Sequence, residues 1–426
     1  MLPDRATISR QQCDSLKELL GVLANTNAFY APRIKSSLAS VENVTPQEFC
    51  SAFPFTTKDE IVADQAGNPP FGTNLSYPMA AYTRVSQTSG TSGQAIRWLD
   101  TPTSWNWMVE CWATVFERSG VTADDRIFFA FSFGPFLGFW TGFNAGESVG
   151  ALCMPGGGMS TLARIEAIIG NAVTVLCCTP TYAIHMGQVA AANNIDLGDS
   201  SVRAIIVAGE PGAAVPATRA AIEGYWAGAK VWDHHGMTEI GPVTYQCPHH
   251  DGTLHVIEEH YIAEIINPET LQPALPGEQG ELVLTNLGRH GSPLLRYRTG
   301  DLVCAGPAST CSCGTAELAL VGGIIGRTDD MVVIRGINIW PSSIEAVLRR
   351  FPAVIEFRTT VDSTKAMADI RIDVEFEAGV TDVEAERRVI EDALRAALAL
   401  RVPVQVMDSG SLPRFEMKAR RWIRLR

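Results

Sequence analysis

A stretch of small, uncharged residues, SQTSGTSGQ at 86–94, is the first place in the chain where chemistry could be concentrated. Its hydroxyls and glycines would let backbone N–H groups close around an anion such as a phosphate group. The same composition is typical of a flexible surface linker. The stretch lacks both the GxxxxGK[ST] loop of common nucleoside triphosphatases and a G-x-G-x-x-G dinucleotide loop, so both interpretations stay open here.

Two acidic residues follow predicted strands at positions suited to a nucleotide and its metal. Glu239 follows Thr238 in HHGMTEIGP, and one carboxylate suits a Mg²⁺ ion that is otherwise held by phosphates and water. Asp301 lies on a turn in YRTGDLV, where a carboxylate could accept hydrogen bonds from two vicinal ribose hydroxyls. A capping Thr-Glu pair and an ordinary turn aspartate are the structural alternatives.

Charged residues toward the C-terminus form two further candidates. Arg327 and Asp329 stand in GRTDDM, and Lys418 stands among basic residues in LPRFEMKARR. A solvated hinge and a basic tail are the alternatives without a chemical role.

Cysteine and histidine residues cluster in two segments that could form one metal site. CPHHDGTLH offers Cys247 and His255, and CSC offers Cys311 and Cys313. Three thiolates and one imidazole would give a closed tetrahedral zinc site, which is typical of a structural metal. The spacing is not the usual C-x-x-C, so surface cysteines and histidines in turns are the alternative. Rival ligands are His249, His250 and Cys304.

The segment RIFFAFSFGPFLGFWTGF at 126–143 is rich in Phe and Trp. Aromatic-lined pockets suit flat, apolar ligands, and Phe136 and Trp140 are the candidates for ligand contact. A tightly packed core helix is the alternative.

Length and composition are those of a globular protein. The chain has 426 residues, 46% hydrophobic and 19% charged, which suggests two or three domains, or one large and one small domain. A net charge of −12 argues against nucleic acid or an anionic membrane as the main partner. The sequence has no apolar run of membrane-spanning length, its start does not resemble a secretory signal, and its cysteines are scattered, so we expect a reducing cytoplasm.

The elements that must position these residues follow from the apolar pattern. DSLKELLGVLA predicts a helix, PFTTKDEI predicts a helix capped by Thr57 with Glu60, and residues 103–119 predict a Trp-rich helix. RIFFAFSF, TVLCCTP, AIIVAGE and KVWDHHG are typical of buried strands alternating with helices in an α/β sheet. Strands joined by turns are predicted after residue 250, and a small α+β domain is predicted beyond a boundary near 325–331.

In their order along the chain, these motifs resemble those of the adenylate-forming superfamily of acyl- and aryl-CoA synthetases, most of all its phenylacetate–CoA ligase branch. Each motif is weak alone, but the ordered set from PFTTKDE to Lys418 is highly specific. The resemblance implies an α/β fold with a large N-terminal adenylate-forming domain of mixed sheets, 1–326, that binds ATP and the acyl group. A small, mobile α+β lid domain would span 327–426, with its hinge near Asp329.

The resemblance also implies a role for each matching residue. The phosphate loop would comprise Ser89, Gly90, Thr91, Ser92 and Gly93. Adenine would lie against Gly209, Glu210 and Pro211, and the region of adenine and the acyl carboxylate would be lined by Asp233, His234, His235 and Gly236. Thr238 would contact the α-phosphate, and Glu239 would hold Mg²⁺. Asp301 would bind the ribose hydroxyls, and Arg327 would contact ribose or phosphate. Lys418 would reach the carboxylate and α-phosphate during adenylation, and Gly336 would pass close to a pantetheine arm.

The implied reaction activates a carboxylic acid with ATP as an acyl-adenylate and transfers the acyl group to CoA, releasing pyrophosphate and AMP. The aromatic segment lies beside the acyl pocket in the family and shows no clear cationic partner for a second carboxylate. An aromatic or arylacetic acid is therefore favoured, contacted by Phe136, Trp140 and His235. ATP, Mg²⁺, CoA and a structural Zn²⁺ are the implied cofactors, since members of the branch often carry Cys and His at places matching the zinc candidates.

Alternatives to this reaction stay open. The acyl group could pass to a carrier-protein thiol or an amine, or the chain could be a non-catalytic nucleotide-binding relative. Gln94 and Ala95 stand where the family usually has a Lys and often a Pro, which removes one positive charge near the phosphates, so we expect weaker ATP binding rather than loss of activity. His235 stands where the family usually has Tyr, which changes the lining on the acyl side. A homodimer is implied by the family resemblance alone.

Overall fold

The computed structural model describes residues 2–88, 95–210, 212–275, 277–307, 309–328, 330–334, 337–362, 369–415 and 419–425. Of Val333 and Asn338 it describes the backbone alone. None of the helices in these ranges combines the length and the apolar character that a membrane span requires.

The chain opens with helices whose starts are set by capping residues. They are α1 (Arg5–Thr26), α2 (Ala31–Ser37), α3 (Pro46–Ala52) and α4 (Lys58–Gly67). The predicted cap is confirmed, because the Thr57 hydroxyl accepts from the Glu60 N–H and the Glu60 carboxylate accepts from the Thr57 N–H. This capping box fixes the place of Lys58, the first residue of α4.

A β-hairpin frames the small-residue loop. Its strands β1 (Arg84–Gln87) and β2 (Arg97–Asp100) pair antiparallel and lead into α5 (Pro102–Arg118). The predicted Trp-rich helix is thereby confirmed. The Gln87 N–H donates to the Pro135 carbonyl over 2.7 Å, so the hairpin adjoins the aromatic segment.

A parallel sheet between two layers of apolar side chains forms the centre of the fold. Its elements, in chain order, are β3 (Arg126–Phe129), α6 (Gly138–Ser148), β4 (Leu152–Pro155), α7 (Thr161–Gly170), β5 (Val175–Cys178), α8 (Pro180–Ala192), β6 (Ala204–Ala208), α9 (Pro216–Tyr225) and β7 (Lys230–His234). The strand order is β4-β3-β5-β6-β7. Alternate residues of β5 join two separate cores, Val175 and Cys177 in one and Leu176 and Cys178 in the other, which confirms the predicted buried strands.

Antiparallel strands follow, as the turn-rich sequence beyond residue 250 predicts. They are β8 (Gly236–Met237), β9 (Gly241–Pro242), β10 (Thr244–Gln246), β11 (Thr253–Val256), β12 (Tyr261–Ile266), β13 (Gln279–Asn286), β14 (Tyr297–Cys304), β15 (Ala319–Val321) and β16 (Gly326–Arg327). Strands β12-β13-β14-β16 form one sheet, β10-β11-β15 a second, and β8-β9 a short ribbon. Asp301 stands opposite Arg327 in the β14–β16 pair, so strand pairing sets the separation of these two residues.

The remaining chain has an apolar core of its own. Its elements are β17 (Val332–Ile334), β18 (Ile337–Ile339), α10 (Pro341–Leu348), β19 (Val354–Asp362), β20 (Asp369–Phe376), α11 (Val383–Leu398), β21 (Val404–Met407) and β22 (Trp422–Leu425). The main sheet has the order β21-β20-β19-β22, and Ile344, Ile372 and Ile390 are buried together in its core. The α+β character predicted for this part of the chain is confirmed, whereas the division into 1–326 and 327–426 stays a prediction.

Candidate active site

The turn that carries Thr238 and Glu239 follows directly on the central sheet. The ribbon β8–β9 reverses the chain immediately after β7 and His235. A Cβ at Gly236 would lie 2.9 Å from the Gly241 carbonyl oxygen, closer than side chains tolerate, so this reversal requires glycine. The tight ribbon thus places an imidazole, a hydroxyl and a carboxylate within one short segment at the carboxyl edge of the sheet, where α/β folds bind their ligands.

Asp301 lies between a guanidinium and an imidazole. Arg327 donates from Nη1 to Asp301 Oδ1 over 2.8 Å, and His235 Nε2 lies 3.3 Å from Oδ2. Asp301 is 3% exposed, so these neighbours orient a carboxylate that is shielded from bulk water. The structure therefore brings three of the sequence-predicted site residues together.

Gly300 allows the approach of Arg327 to this carboxylate. It has φ of +76°, and a Cβ there would lie 2.9 Å from Arg327 Nη2. Next to it, Thr299 accepts from the Asp301 N–H over 3.0 Å and donates to the Leu282 carbonyl over 2.7 Å. Thr299 on β14 thereby fixes the backbone of Asp301, while Arg327 and His235 orient its side chain.

Lys58 adds a cation that the sequence pattern does not single out. Its Nζ lies 3.9 Å from Glu239 Oε1, and the Glu239 side chain is only 10% exposed. The pattern in PFTTKDEI predicts the helix cap at Thr57. It does not predict that the next residue, Lys58, lies beside the turn of Glu239. The pair supplies one positive and one negative group at the predicted magnesium position.

Arg289 supports the turn of Thr238 and Glu239, and the sequence pattern does not single it out either. It is fully buried and donates from Nε and Nη2 to the two oxygens of Asp100, over 2.7 and 2.8 Å. Its Nη1 donates to the Thr238 carbonyl over 2.8 Å and to the Glu239 carbonyl over 2.9 Å. One guanidinium therefore ties the turn to β2, the strand that follows the predicted phosphate loop.

Asp233 and His234 are enclosed rather than presented to solvent. Asp233 accepts from the Ala214 N–H over 2.9 Å, and burial raises the pKa of its carboxyl to about 6. Burial lowers the pKa of His234 to about 3, so its ring is neutral near pH 7, and Nδ1 lies 2.6 Å from the Thr244 carbonyl. Its ring packs against Trp112 at 4.3 Å between centroids. His235 is the more accessible member of this predicted group.

Gly209 and Glu210 directly follow β6, at the carboxyl edge of the same sheet. Gly209 has φ of +97°, which favours glycine. The Glu210 carboxylate accepts from the Thr181 N–H over 2.9 Å and from the Ala419 N–H over 3.0 Å. In this arrangement the side chain of Glu210 is engaged by protein backbone, at a position where the family resemblance implies adenine.

Phe136 and Trp140 line one cavity of about 280 Å³. Trp140 donates from Nε1 to the Gly134 carbonyl over 3.0 Å, which orients its ring. Arg84, from β1, also lines the cavity and lies over the Trp105 ring at 4.0 Å. The aromatic segment itself is divided between the strand β3, a loop and the helix α6, so only part of it forms core.

The four sequence-predicted metal ligands converge. The sulfur and nitrogen atoms of Cys247, His255, Cys311 and Cys313 lie within 4.8 Å of one another. Cys247 Sγ and Cys311 Sγ are 3.7 Å apart, and Cys313 Sγ and His255 Nε2 are 3.6 Å apart. A tetrahedral zinc ion with ordinary bond lengths needs edges of about 3.8 Å between sulfurs and about 3.6 Å between sulfur and nitrogen. The donor set and its spacing therefore fit zinc.

The rival metal ligands have other neighbours. His250 Nε2 lies 2.8 Å from Ser312 Oγ, and Cys304 Sγ lies 3.4 Å from the Gly277 carbonyl. His249 is exposed and lies outside the cluster. Several predicted residues lie outside the described part of the chain, namely Ser89, Gly90, Thr91, Ser92, Gly93, Gln94, Pro211, Asp329, Gly336 and Lys418.

Comparison with known proteins places this geometry in a family. The family model of AMP-binding enzymes matches residues 88–288, and that of the AMP-binding enzyme C-terminal domain matches residues 336–426. Phenylacetate-coenzyme A ligase of Aromatoleum evansii is 30% identical over 387 residues, which are 87% of this chain and 83% of the relative. The enzyme of the same name from Thermus thermophilus is 29% identical over 453 residues, covering 100% of this chain and 99% of its own.

Solved structures of a CoA ligase in two states show the same fold. A 2-hydroxyisobutyryl-CoA ligase in the postadenylation state, in complex with R3-HIB-AMP, matches with a TM-score of 0.92 at 25% identity, covering 99% of this chain and 90% of that chain. In complex with 2-HIB-AMP and CoA in the thioesterification state, the same ligase matches with a TM-score of 0.73 at 25% identity and the same coverage. The predicted fold class is confirmed. The fold and both family models confirm the resemblance carried by the motifs, and the chain belongs to the AMP-binding enzymes, in the group of the phenylacetate-coenzyme A ligases.

Proposed function

We propose that the protein is an AMP-forming acid–CoA ligase, which activates a carboxylic acid as its acyl-adenylate and transfers the acyl group to CoA. The observation that carries this proposal is the cluster of Asp301, Arg327 and His235 beside the turn of Thr238 and Glu239. A shielded carboxylate can accept hydrogen bonds from vicinal hydroxyls, and the guanidinium beside it can contact ribose or phosphate. Full-length relatives named phenylacetate-coenzyme A ligase support the same reaction.

The first half-reaction joins two anions, so nearby cations decide its rate. A carboxylate oxygen of the acid attacks the α-phosphorus, the bond to pyrophosphate breaks, and negative charge moves onto the leaving group. In this proposal Lys58 and Arg327, which lie beside Glu239 and Asp301, balance this charge. The family resemblance adds Lys418. Losing one preorganised contact of this kind typically costs about 3–4 kcal/mol, or roughly 10²–10³ in rate. The backbone and hydroxyls of residues 89–93 would complete the phosphate contacts.

Magnesium fits the donor set of the turn. Glu239 presents one largely buried carboxylate, and Mg²⁺ in nucleotide sites is typically held by one or two carboxylates together with phosphates and water. When bound, the ion would neutralise phosphate charge. Thr238 contributes a hydroxyl toward the α-phosphate, and Arg289 holds the backbone of both residues in place.

The acid is proposed to be aromatic or arylacetic. Phe136 and Trp140 offer flat apolar surface in a cavity of about 280 Å³, and His235 lies on the side of the nucleotide cluster. Arg84 at the same cavity could also receive an anionic or polar substituent on the ring. A panel of acids should therefore include rings that carry such a group.

CoA is the proposed acceptor, and Gly336 is the proposed point of close approach for its pantetheine arm. Its thiolate sulfur attacks the acyl carbonyl carbon, and AMP leaves with the electron pair of the acyl–phosphate bond. A carrier-protein thiol would undergo the same chemistry, and the experiment below separates the two. We further propose that the lid 327–426 turns about Asp329 between the half-reactions. The scattered positions of the ten cysteines support the proposal that the protein works in a reducing cytoplasm.

Zinc is proposed as a structural ion held by Cys247, His255, Cys311 and Cys313. These four ligands leave no open coordination position, so the ion would supply no catalytic water. It would join the β10–β11 region to residues 311–313, far along the chain. Its contribution would be to stability, because a site that is absent in the unfolded chain adds its binding energy to folding.

Exchange of labelled pyrophosphate into ATP, measured without CoA across aromatic, arylacetic and short aliphatic acids, tests the proposal. Exchange with one class of acid would establish adenylation and identify that class. Adding CoA should then yield AMP and a thioester in equal amounts. Exchange without CoA-dependent AMP release would favour a carrier protein or an amine, and ATP binding without any exchange would refute an acid ligase.

A further inference from the structure

The last described segment of the chain, residues 419–425, contacts the large domain beside α8. The Ala419 N–H donates to Glu210 Oε2 over 3.0 Å, while Glu210 Oε1 accepts from the Thr181 N–H over 2.9 Å. One carboxylate thus bridges the backbone that directly follows position 418 and the first turn of α8. Such charge-assisted bonds to backbone amides are about twice as strong as neutral ones.

Arg421 makes a second bridge at the same place. It donates from Nη1 to Thr181 Oγ1 over 3.1 Å and from Nη2 to Glu356 Oε2 on β19 over 3.0 Å. The Arg421 side chain is 10% exposed, so the guanidinium is enclosed between α8 and the C-terminal sheet. A third contact, from Gln188 Nε2 to the Ile355 carbonyl over 3.3 Å, lies along the same helix. The end of the chain is therefore fixed on α8 by side chains with specific partners.

The match to a solved relative depends on the state in which that relative was solved. At equal identity and coverage, the chain matches the postadenylation state of 2-hydroxyisobutyryl-CoA ligase with a TM-score of 0.92 and its thioesterification state with 0.73. Because both structures are of the same ligase, we infer that the lower score reflects a different arrangement of the same parts. A contact between the C-terminal segment and α8 depends on that arrangement.

We propose that Glu210 and Thr181 form a dock for residues 419–421, and that this dock holds the C-terminal domain in the orientation used to form the adenylate. The inference rests on the proposed two-step reaction. Glu210 is then a positioning residue, which acts through the backbone beside position 418. In this proposal the dock is closed while the adenylate forms and opens before the thioester is formed.

The test uses the full-length protein with Glu210→Ala, which removes both amide contacts, and Thr181→Val, which removes the acceptor for Arg421 while keeping the shape of the side chain. Glu166→Ala is the matched control, because Glu166 is an exposed carboxylate on α7 of the same sheet layer. Hydrogen exchange of the amides at 419–421 is measured in the free proteins. Adenylate formation and thioester formation from supplied acyl-adenylate are measured separately.

The dock predicts that the amides at 419–421 exchange at least about tenfold faster in both dock variants than in the wild type and the control. It also predicts about a tenfold lower rate constant for adenylate formation, with an unchanged KM for ATP and an unchanged rate of thioester formation. Unaltered exchange at 419–421 would overturn the dock, even if no acid substrate were found for the wild type. Equal loss of rate in both half-reactions would also overturn the dock. A rise in the KM for ATP alone would overturn it too, because it would show that Glu210 binds adenine instead.

Discussion

Replacing Arg289 with Met should destabilise the protein severely and disturb the turn that carries Glu239. Arg289 and Asp100 are both fully buried and are joined by two hydrogen bonds of 2.7 and 2.8 Å. Removing one partner of a buried ion pair typically costs about 3–5 kcal/mol, because the remaining charge has no compensation. The carbonyls of Thr238 and Glu239 would also lose their donor. Since whole domains are stable by about 5–15 kcal/mol, the loss would be a large fraction of the total.

The assay is urea-induced unfolding of the wild type, Arg289→Met, Asp100→Asn and the double variant. Because each single change leaves the other member of the pair buried without its partner, the double variant should cost at least about 2 kcal/mol less than the sum of the two. Arg10→Met, at an exposed position on α1, is the control and should stay within about 0.5 kcal/mol of the wild type. Additive effects, or a loss below about 1 kcal/mol for Arg289→Met, would refute the reasoning.

Three further predictions concern charge, metal and pH. Lys58→Ala should lower the rate of pyrophosphate exchange by about tenfold or more, because Lys58 Nζ lies 3.9 Å from Glu239. Lys35→Ala, at an exposed position, is the control and should leave the rate unchanged. Equal rates in the two variants would show that Lys58 has no role at the site. Cys313→Ser should lower bound zinc from about one ion per chain to near none by elemental analysis, together with a lower unfolding temperature, whereas a metal-free, fully stable wild type would exclude the site. His234 stays neutral in the fold, with its pKa lowered by burial to about 3, while the unfolded chain binds a proton there below about pH 6.5, so the contribution of His234 to the free energy of unfolding should fall as pH decreases from about 6.5 to 3. His234→Phe should therefore lose less stability over this pH range than the wild type, and an identical slope in the variant would contradict the assignment.

The elements were predictable wherever their cause is local. The capping box of Thr57 and Glu60 acts over three residues, and the buried strands are recognisable in the sequence as short apolar runs between turns. The metal cluster was also predictable, although Cys247 and Cys311 are 64 residues apart. Few residue types bind zinc, so the presence of Cys and His in two segments is informative without any knowledge of the fold.

The support of the turn could not be found in the same way. Arg289 and Asp100 are 189 residues apart, and the remaining partners of Arg289 are backbone carbonyls, which every residue possesses. Lys58 appears in the sequence as an ordinary first-turn residue of a capped helix. Its relation to Glu239 depends on the packing of α4 against β14, which no local pattern records. The ordered motifs predicted the family, but the residues that hold the motifs in place could be identified only from the structure.

The distribution of charge explains how an acidic chain can receive a polyanion. The net charge is −12, yet at physiological ionic strength exposed charges are screened over about 8 Å, so exposed carboxylates far from the site contribute little to its field. Among the described residues, Lys58 and Arg327 supply positive charge near the proposed phosphate position. Lys58 lies 3.9 Å from Glu239, and Arg327 lies 2.8 Å from Asp301. Gln94 removes the cation that the family usually places in the loop, which increases the share of the field that Lys58 must supply. A Gln94→Lys variant should therefore bind ATP more tightly and make adenylation less sensitive to Lys58→Ala, and independent effects of the two substitutions would show that the two cations act at separate places.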